Sequence, residues 1–194
     1  MNEKKSKQIK FLSGILIGIL VIAVLIRILY LNCLYPSPKV VTYNNNETIK
    51  IGNYEINEID WEWGDGKLLK DKCPDYIYME MEDGKEYPLD KERAGLITLS
   101  VTKVMNDTTT LDLTGISFEA DGYGNQFDME LFYKLNPKFE SLLVNLKANE
   151  TISFVMPVTM NDGWFSEKEW KNIDDKKIYM VFQYYPEKIK LCCN

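Results

Sequence analysis

The sequence predicts an all-β fold, an antiparallel β-sandwich, carried behind a single N-terminal transmembrane helix. Three observations point there. From about residue 49 onward, apolar and polar residues alternate at period two in several separate runs. Turn signals at Asp83-Gly84, Asn106-Asp107 and Gly122 to Asn125 separate those runs. Before them, residues 11–34 form an apolar stretch broken only by Arg27. The 194 residues have room for one membrane segment and one medium domain, and a composition 45% hydrophobic and 12% aromatic supplies a core.

Residues 1–10 read as a cytoplasmic basic tail, with lysines at positions 4, 5, 7 and 10. Phe11 to Ile26 is uncharged, Arg27 interrupts, and the apolar run resumes to Leu34. The span reaches bilayer length if Arg27 snorkels to the headgroups, with Tyr30 and Tyr35 at the interface. A cleaved signal peptide would have a shorter apolar region and a small-residue cleavage site. A lipoprotein would place Cys33 after a small residue, and Asn32 stands there. An uncleaved anchor is therefore expected, with the N-terminus cytoplasmic and the C-terminal domain outside the cell membrane by the positive-inside rule. Residues 35–48, rich in Pro, Asn and Ser/Thr, read as a linker, and 49–194 as the extracytoplasmic sandwich.

Within that domain, Tyr54 and Ile56 share one phase, while Ile59, Trp61 and Trp63 take the other; a slip near Asn57–Glu58 predicts a β-bulge. Ile77, Met79 and Met81 alternate with Tyr76, Tyr78 and Glu80 and read as a strand. So do Ile97, Leu99 and Val101; Ile152, Phe154, Met156 and Val158; and Ile178, Met180 and Phe182. Two stretches look helical: Pro137 to Val144, and a short helix over 166–172 with Ser166 as N-cap and Glu169 completing a capping box.

The stretch Asp121-Gly-Tyr-Gly-Asn-Gln-Phe-Asp128 tests the fold against a metal function. An EF-hand needs oxygens at positions 1, 3 and 5, Gly at 6 and Glu at 12. Counted from Asp121, these include Tyr123, Gln126 and Phe132, so the pattern fails. The flanking apolar residues, Ile116 and Phe118 before and Phe127, Met129 and Leu131 after, make it a hairpin turn, leaving only opportunistic cation binding to Asp121, Asn125 and Asp128.

The run LITLSVTKV from Leu96 to Val104, the hairpin residues Asp121, Gly124, Asn125 and Phe127, and then Leu146, Asn149, Glu150, Ile152, Phe154 and Pro157 carry a resemblance. Over roughly residues 95–185 the chain resembles uncharacterised Firmicute cell-surface proteins. These have an N-terminal signal anchor or lipobox and an immunoglobulin-like domain, often called telokin-like. The resemblance implies an immunoglobulin-like (Ig-like) sandwich outside a low-GC Gram-positive cell. It implies no activity, so no functional residue follows from it. The Trp- and Tyr-rich segment before residue 95 and the segment 161–175 depart from its pattern.

Composition narrows the function classes. No histidine is present, which removes the commonest general base and zinc ligand. Residues 28–194 hold 18 basic and 28 acidic groups, so no nucleic-acid surface is expected. Carboxylates at Glu167/Glu169 and Asp174/Asp175 read as a solvated face, so no catalytic residue, metal site or cofactor is assigned. Cys73, Cys192 and Cys193 lie in the expected oxidising compartment, where Cys73 could bridge Cys192 or Cys193. Two aromatic groups compete between core and contact surface: Trp61 with Trp63, and Trp164, Phe165 and Trp170 in a long loop. The expectation is a non-catalytic, membrane-anchored binding module with a protein or cell-wall partner. An accessory subunit of an envelope assembly, such as a transporter or conjugation machine, is the alternative, and a metal-dependent sensor or enzyme a distant third.

Overall fold

Helix α1, Glu3–Leu34, carries the apolar segment. In this computed structural model, residues 3–194 are described, with side chains from residue 12 onward. Leu12–Leu34 has a mean hydropathy of 2.8 and is long and apolar enough to cross a membrane; a signal sequence meets the same criteria. The chain divides into two units, Met1–Lys39 and Val40–Asn194.

The second unit is a β-sandwich. Its strands are β1 (Lys39–Tyr43), β2 (Ile49–Ile51), β3 (Tyr54–Asp65), β4 (Glu92–Lys103), β5 (Leu111–Asp112), β6 (Ser117–Ala120), β7 (Tyr123–Gln126), β8 (Leu143–Val144), β9 (Thr151–Asn161), β10 (Tyr179–Gln183) and β11 (Glu187–Cys192). Short helices α2 (Gly66–Lys72), α3 (Met129–Leu135) and α4 (Glu167–Lys171) lie between them. One sheet runs in the order β1-β11-β10-β6-β7, the other β2-β3-β4-β9, and β5 pairs β8 separately. Residues 39–43, expected in the linker, thus form a strand of the sandwich.

The expected alternation of β4 holds over its second half. Ile97, Leu99 and Val101 point into the core together with Phe154, Met156 and Val158 of β9 and Phe118, Met180 and Leu191 of the facing sheet. Over the first half both faces are covered, because Ala94 and Leu96 pack into a second cluster with Leu69 of α2, Tyr76 and Leu131 of α3. The predicted bulge is present: the β3–β4 register shifts between Glu58 and Asp60, and Ile59 is left 57% exposed. The capping box at Ser166 and Glu169 starts α4 as expected.

Three expectations are corrected. Residues 76–81 form no strand; beyond an isolated Glu80–Glu86 bridge they run as a loop. Here Tyr76 and Tyr78 turn inward, with hydroxyls bonded to Asp128 and Asn161, while Ile77 is half exposed. The tyrosines win because they bring both apolar area and a polar end that finds a partner. Pro137 to Val144 is not helical. Leu142, Val144 and Leu146 go inward at period two, and Leu143–Val144 pairs with β5. The helix lies earlier, at α3. Third, the hairpin strand does not continue through Phe127 to Leu131. It ends at Gln126, and Asp128 accepts from Leu131 N–H at 2.8 Å to cap α3. The connecting turn is Asp121-Gly122, narrower than predicted, with Gly122 at φ +75° where a side chain is disfavoured. Asn149 is also left-handed, at φ +64°, a conformation that asparagine tolerates better than most residues.

Helix α3 closes the sandwich beside β9. Phe132 is fully buried, its ring 5.4–6.2 Å from those of Phe127, Tyr133, Phe139 and Phe154. At the helix end, the Asn136 side chain mimics a neighbouring strand. Its Nδ2 donates to the carbonyls of Phe132 and Val155, and its Oδ1 accepts from Val155 N–H, all at 2.8 Å.

Both ends of β4 bury a charged residue. Lys103 is 0% exposed; its Nζ donates to the carbonyls of Asp107 and Thr109 at 2.8 Å and meets Asp107 Oδ1 at 3.1 Å. Glu92, 3% exposed, faces Gly66, Lys70, Glu86 and Leu89 around a small cavity. Burial pushes its carboxyl up to about 7; nearby Lys70 opposes this and Glu86 adds to it.

Both buried polar features can be tested through stability. Asn136→Ala leaves the Val155 N–H and carbonyl without their partner, while the Phe132 carbonyl keeps the Asn136 backbone N–H. It should cost about 2–3 kcal/mol, read from urea unfolding of the full chain in detergent. For Glu92, the folded pKa lies above the unfolded value, so its contribution is fully present below about pH 4.5 and is lost as pH rises to about 7. Wild type should therefore lose on the order of 3 kcal/mol relative to Glu92→Gln across that window. Parallel pH profiles of the two proteins would refute the assignment.

Candidate functional site

The two aromatic groups singled out in the sequence meet at one end of the β2-β3-β4-β9 sheet. Trp61 and Trp63 point to one side of β3 and stack with centroids 5.9 Å apart and planes 16° from parallel. They fit because β4 carries Gly95 opposite Trp63: a Cβ there would collide with the Trp61 ring and come within 2.8 Å of Val158 Cγ1. Both indoles are half-buried against the main core.

From Trp63 the contacts run on through charge. Its indole N–H donates to Asp174 Oδ1 at 2.9 Å. Arg93 of β4 grips the same carboxylate with two donors, Nε at 2.8 Å and Nη2 at 3.2 Å. The Arg93 hydrogen bonds hold the Asp174 carboxyl below the usual carboxylate range, and Asp174 in turn raises the Arg93 pKa. The guanidinium also lies 5.4 Å from the ring centre of Trp170. Trp170 packs on Phe165 at 5.9 Å, Phe165 on Tyr123 at 5.7 Å, and Tyr123 on Trp164 at 6.0 Å. Tyr78 closes the series edge-on to Trp164 at 6.5 Å. All five tryptophan and phenylalanine candidates are thus linked by contacts through Arg93, Asp174 and Tyr123, with Tyr78 at the end of the series.

These four residues carry no signal of their role in the sequence. Arg93 and Asp174 are 81 positions apart, with no local pattern joining them. Tyr78 falls on the outer phase of a predicted strand that does not form. Tyr123 falls within a predicted turn, whereas it opens β7 and its hydroxyl donates to the Thr159 carbonyl at 3.0 Å.

Within the series, exposure differs sharply. Phe165 and Trp170 are half-buried against the core, as are Trp61 and Trp63, whereas Trp164 is 46% exposed. A short 3-10 turn, Asp162–Trp164, presents it, and Asn161 caps that turn by accepting from Gly163 N–H at 2.9 Å. Asp162 accepts a hydrogen bond from the Tyr87 hydroxyl, which pulls its own pKa down and pushes the tyrosine up to about 12; Lys91 adds an ion pair at 3.4 Å. Trp164 lines a cleft of about 360 Å³ with Tyr78, Met79, Asn125, Gln126, Asp128 and Thr159. The wall therefore combines aromatic rings with amide and carboxylate groups.

The remaining candidates are not brought together as a site. Cys73, Cys192 and Cys193 are free buried thiols. Cys73 belongs to the cluster under α2 and Cys193 to the main core, and no bridge joins Cys73 to Cys192 or Cys193. Burial raises the pKa of Cys73 and Cys193, which disfavours the reactive thiolate. Of the acidic candidates, Glu169 is committed to its capping box and Asp174 to Arg93. Asp128 caps α3 and accepts from Tyr76. Among the described residues no group of three or more His, Cys, Asp or Glu is placed to hold a metal.

The fold and this arrangement define a β-sandwich domain with an aromatic-walled cleft at one sheet end. The chain belongs to the DUF5028 family, a domain of unknown function, whose model matches residues 75–189. Similar solved structures include a conserved hypothetical protein from Bacillus anthracis, 12% identical, with 76% of this chain and 94% of that one covered and a TM-score of 0.47. An uncharacterised β-sandwich protein from Clostridium difficile 630 is 14% identical over 81% of this chain and 96% of its own, with a TM-score of 0.44. The yjhA protein from Bacillus subtilis is 10% identical over 78% and 99%, with a TM-score of 0.45. No match is found among curated proteins.

The packing around Gly95 carries its own test. Gly95→Ala should expel the Trp61 ring from its seat over β4, at a cost of about 1–3 kcal/mol. Near-UV circular dichroism should lose the signal of the stacked indole pair; an unchanged spectrum would show that the pair does not depend on Gly95.

Proposed function

We propose that this protein is a membrane-anchored, extracytoplasmic binding module that does no catalysis and engages a protein or cell-wall partner through the Trp164 cleft. One observation carries the reading. A large aromatic side chain is nearly half exposed, yet it is held by ring contacts to Tyr123 and Tyr78 and by a capped turn. An exposed aromatic fixed before binding loses little conformational freedom on contact, which is what makes such residues dominate interfaces.

The Ig-like reading of the sandwich is supported by strand order. Strands β3, β4 and β9 share one sheet, and β6, β10 and β11 share the other, so the chain alternates between sheets as Ig-like domains do. The lysine-rich start before an apolar helix supports an N-terminus in the cytoplasm and the sandwich outside.

The test uses the full chain in mild detergent. Wild type should co-sediment with purified cell-wall sacculi or crosslink to a defined membrane neighbour, and Trp164→Ala should weaken that contact at least about tenfold. The Trp164→Ala, Phe165→Ala double variant should abolish it. Retention of every contact by the double variant would refute the cleft as the binding surface.

A further inference from the structure

A second site lies on the free edge of β9. The register with β4 is unbroken from Thr151 to Asn161, so alternate residues of β9 turn their backbone groups to β4 and the others turn theirs away. Two bonds fix which set is which. Lys103 N–H donates to the Glu150 carbonyl, placing even-numbered positions toward β4. Val155 bonds the Asn136 side chain through both its N–H and its carbonyl, placing odd-numbered positions at the edge.

Along that edge several groups are taken up or missing. The Thr159 carbonyl accepts from the Tyr123 hydroxyl. Pro157 has no N–H to offer, and proline is tolerated on an edge for that reason. Val155 is satisfied by Asn136. Pro157, Thr159 and Asn161 are buried, whereas Thr151 and Ser153 are exposed, and among the described residues no backbone N–H or carbonyl of these two finds a protein partner. The blunting that natural sheets use against strand addition therefore stops at these two residues.

Where it stops, an apolar cleft begins. A cavity of about 630 Å³ is lined by Leu135, Phe139, Leu143, Leu146 and Ile152 and reaches Ser153 itself. Leu143 is 54% exposed at its mouth. Lys138 and Glu140 also line it with opposite charges, so the cleft favours neither sign of ligand. Two donors and two acceptors at strand spacing match another extended backbone, and the cleft beside them matches apolar side chains at alternate positions.

We propose that β9 receives an extended segment of a partner polypeptide by strand addition at Thr151 and Ser153, with alternate apolar side chains of that segment entering the Phe139–Leu146 cleft. This site is separate from the Trp164 cleft, and the occupant is a neutral, β-prone peptide strand.

The experiment uses the isotopically labelled full chain in detergent micelles and a capped hexapeptide alternating valine and threonine. The expected result is saturable binding, with amide shifts at Thr151, Ser153 and the cleft. N-methylation of alternate peptide amides should weaken binding about tenfold or more, since it removes the pairing donors and keeps the side chains. Ser153→Pro, which repeats at this position the blocking device of Pro157, should have the same effect, and Trp164→Ala none. If Ser153→Pro fails to fold, the comparison of the two peptides on wild type decides alone. Equal binding of the N-methylated peptide, or no saturable binding through the millimolar range, overturns the proposal. So does a concentration-dependent dimer of the protein that Ser153→Pro abolishes, which would assign the edge to a second copy.

Discussion

Everything in the sandwich is referred to one strand. β4 is paired on both sides over its length, with β3 from Arg93 to Lys103 and with β9 from Glu92 to Thr102. A strand held on both sides cannot slip by one residue without turning Ile97, Leu99 and Val101 out of the core, so its register sets that of its neighbours. The bulge at Glu58–Asp60 is then a consequence. Tyr54 and Ile56 must point inward on one phase while Trp61 and Trp63 take up places beside Gly95 on the other, and one extra residue in β3 reconciles the two.

The same strand positions the cleft without contributing to it. Arg93 sits at the start of β4, and its guanidinium joins Asp174 to Trp170, fastening the 161–175 segment to the sheet. Trp164 leaves the surface of that segment at a fixed place because the residues on either side of it are anchored: Asn161 and Asp162 before it, Phe165 and Trp170 after. The segment departs from the pattern of the proteins the chain resembles, yet it is not loose. Its rings and its Arg–Asp pair tie it to the strands beneath.

How much of this is legible in the sequence depends on which interactions are local. The strands at 97–101, 152–158 and 178–182 are visible because one face is apolar and the other is not. The capping box at Ser166 is visible because its two partners are three residues apart. The β3 bulge can be read from a phase change within ten residues. The segment at 76–81 misleads because both of its phases are apolar, and only the distant partners Asp128 and Asn161 decide which one is buried. Pro137 to Val144 misleads for a related reason: its Leu-rich run fits a helix as well as a strand, and β5 chooses. The candidate aromatics are all visible, but not their union. Arg93 and Asp174 are ordinary charges in the sequence, and only the β3–β4 pairing brings one beside the tryptophans that the other also meets.

The ends of β4 show how the fold treats charge that it buries. Lys103 points inward on the same face as Val101, where an aliphatic residue would be expected. A buried ammonium is tolerated only when its donors are used. Here the two carbonyls and the carboxylate oxygen all come from residues 107–109, and the Tyr54 ring lies 5.6 Å from Nζ. The Tyr54 hydroxyl donates to the same Thr109 carbonyl at 2.6 Å. Asp107 is held down to about 2, with Thr109 the largest cause and Lys103 next among those that lower it. One side chain therefore selects one conformation of the loop after β4. At the other end, Glu92 faces a lysine whose Nζ is already shared between Glu86, at 2.8 Å, and the Tyr76 carbonyl, at 2.9 Å. Its charge is undercompensated, and its proton affinity rises instead. The contrast lies in the number of partners available. Lys103 has three oxygens within reach of its ammonium, whereas Glu92 depends on one cation that two other groups also use, so the Lys103 end is locked and the Glu92 end is left sensitive to pH.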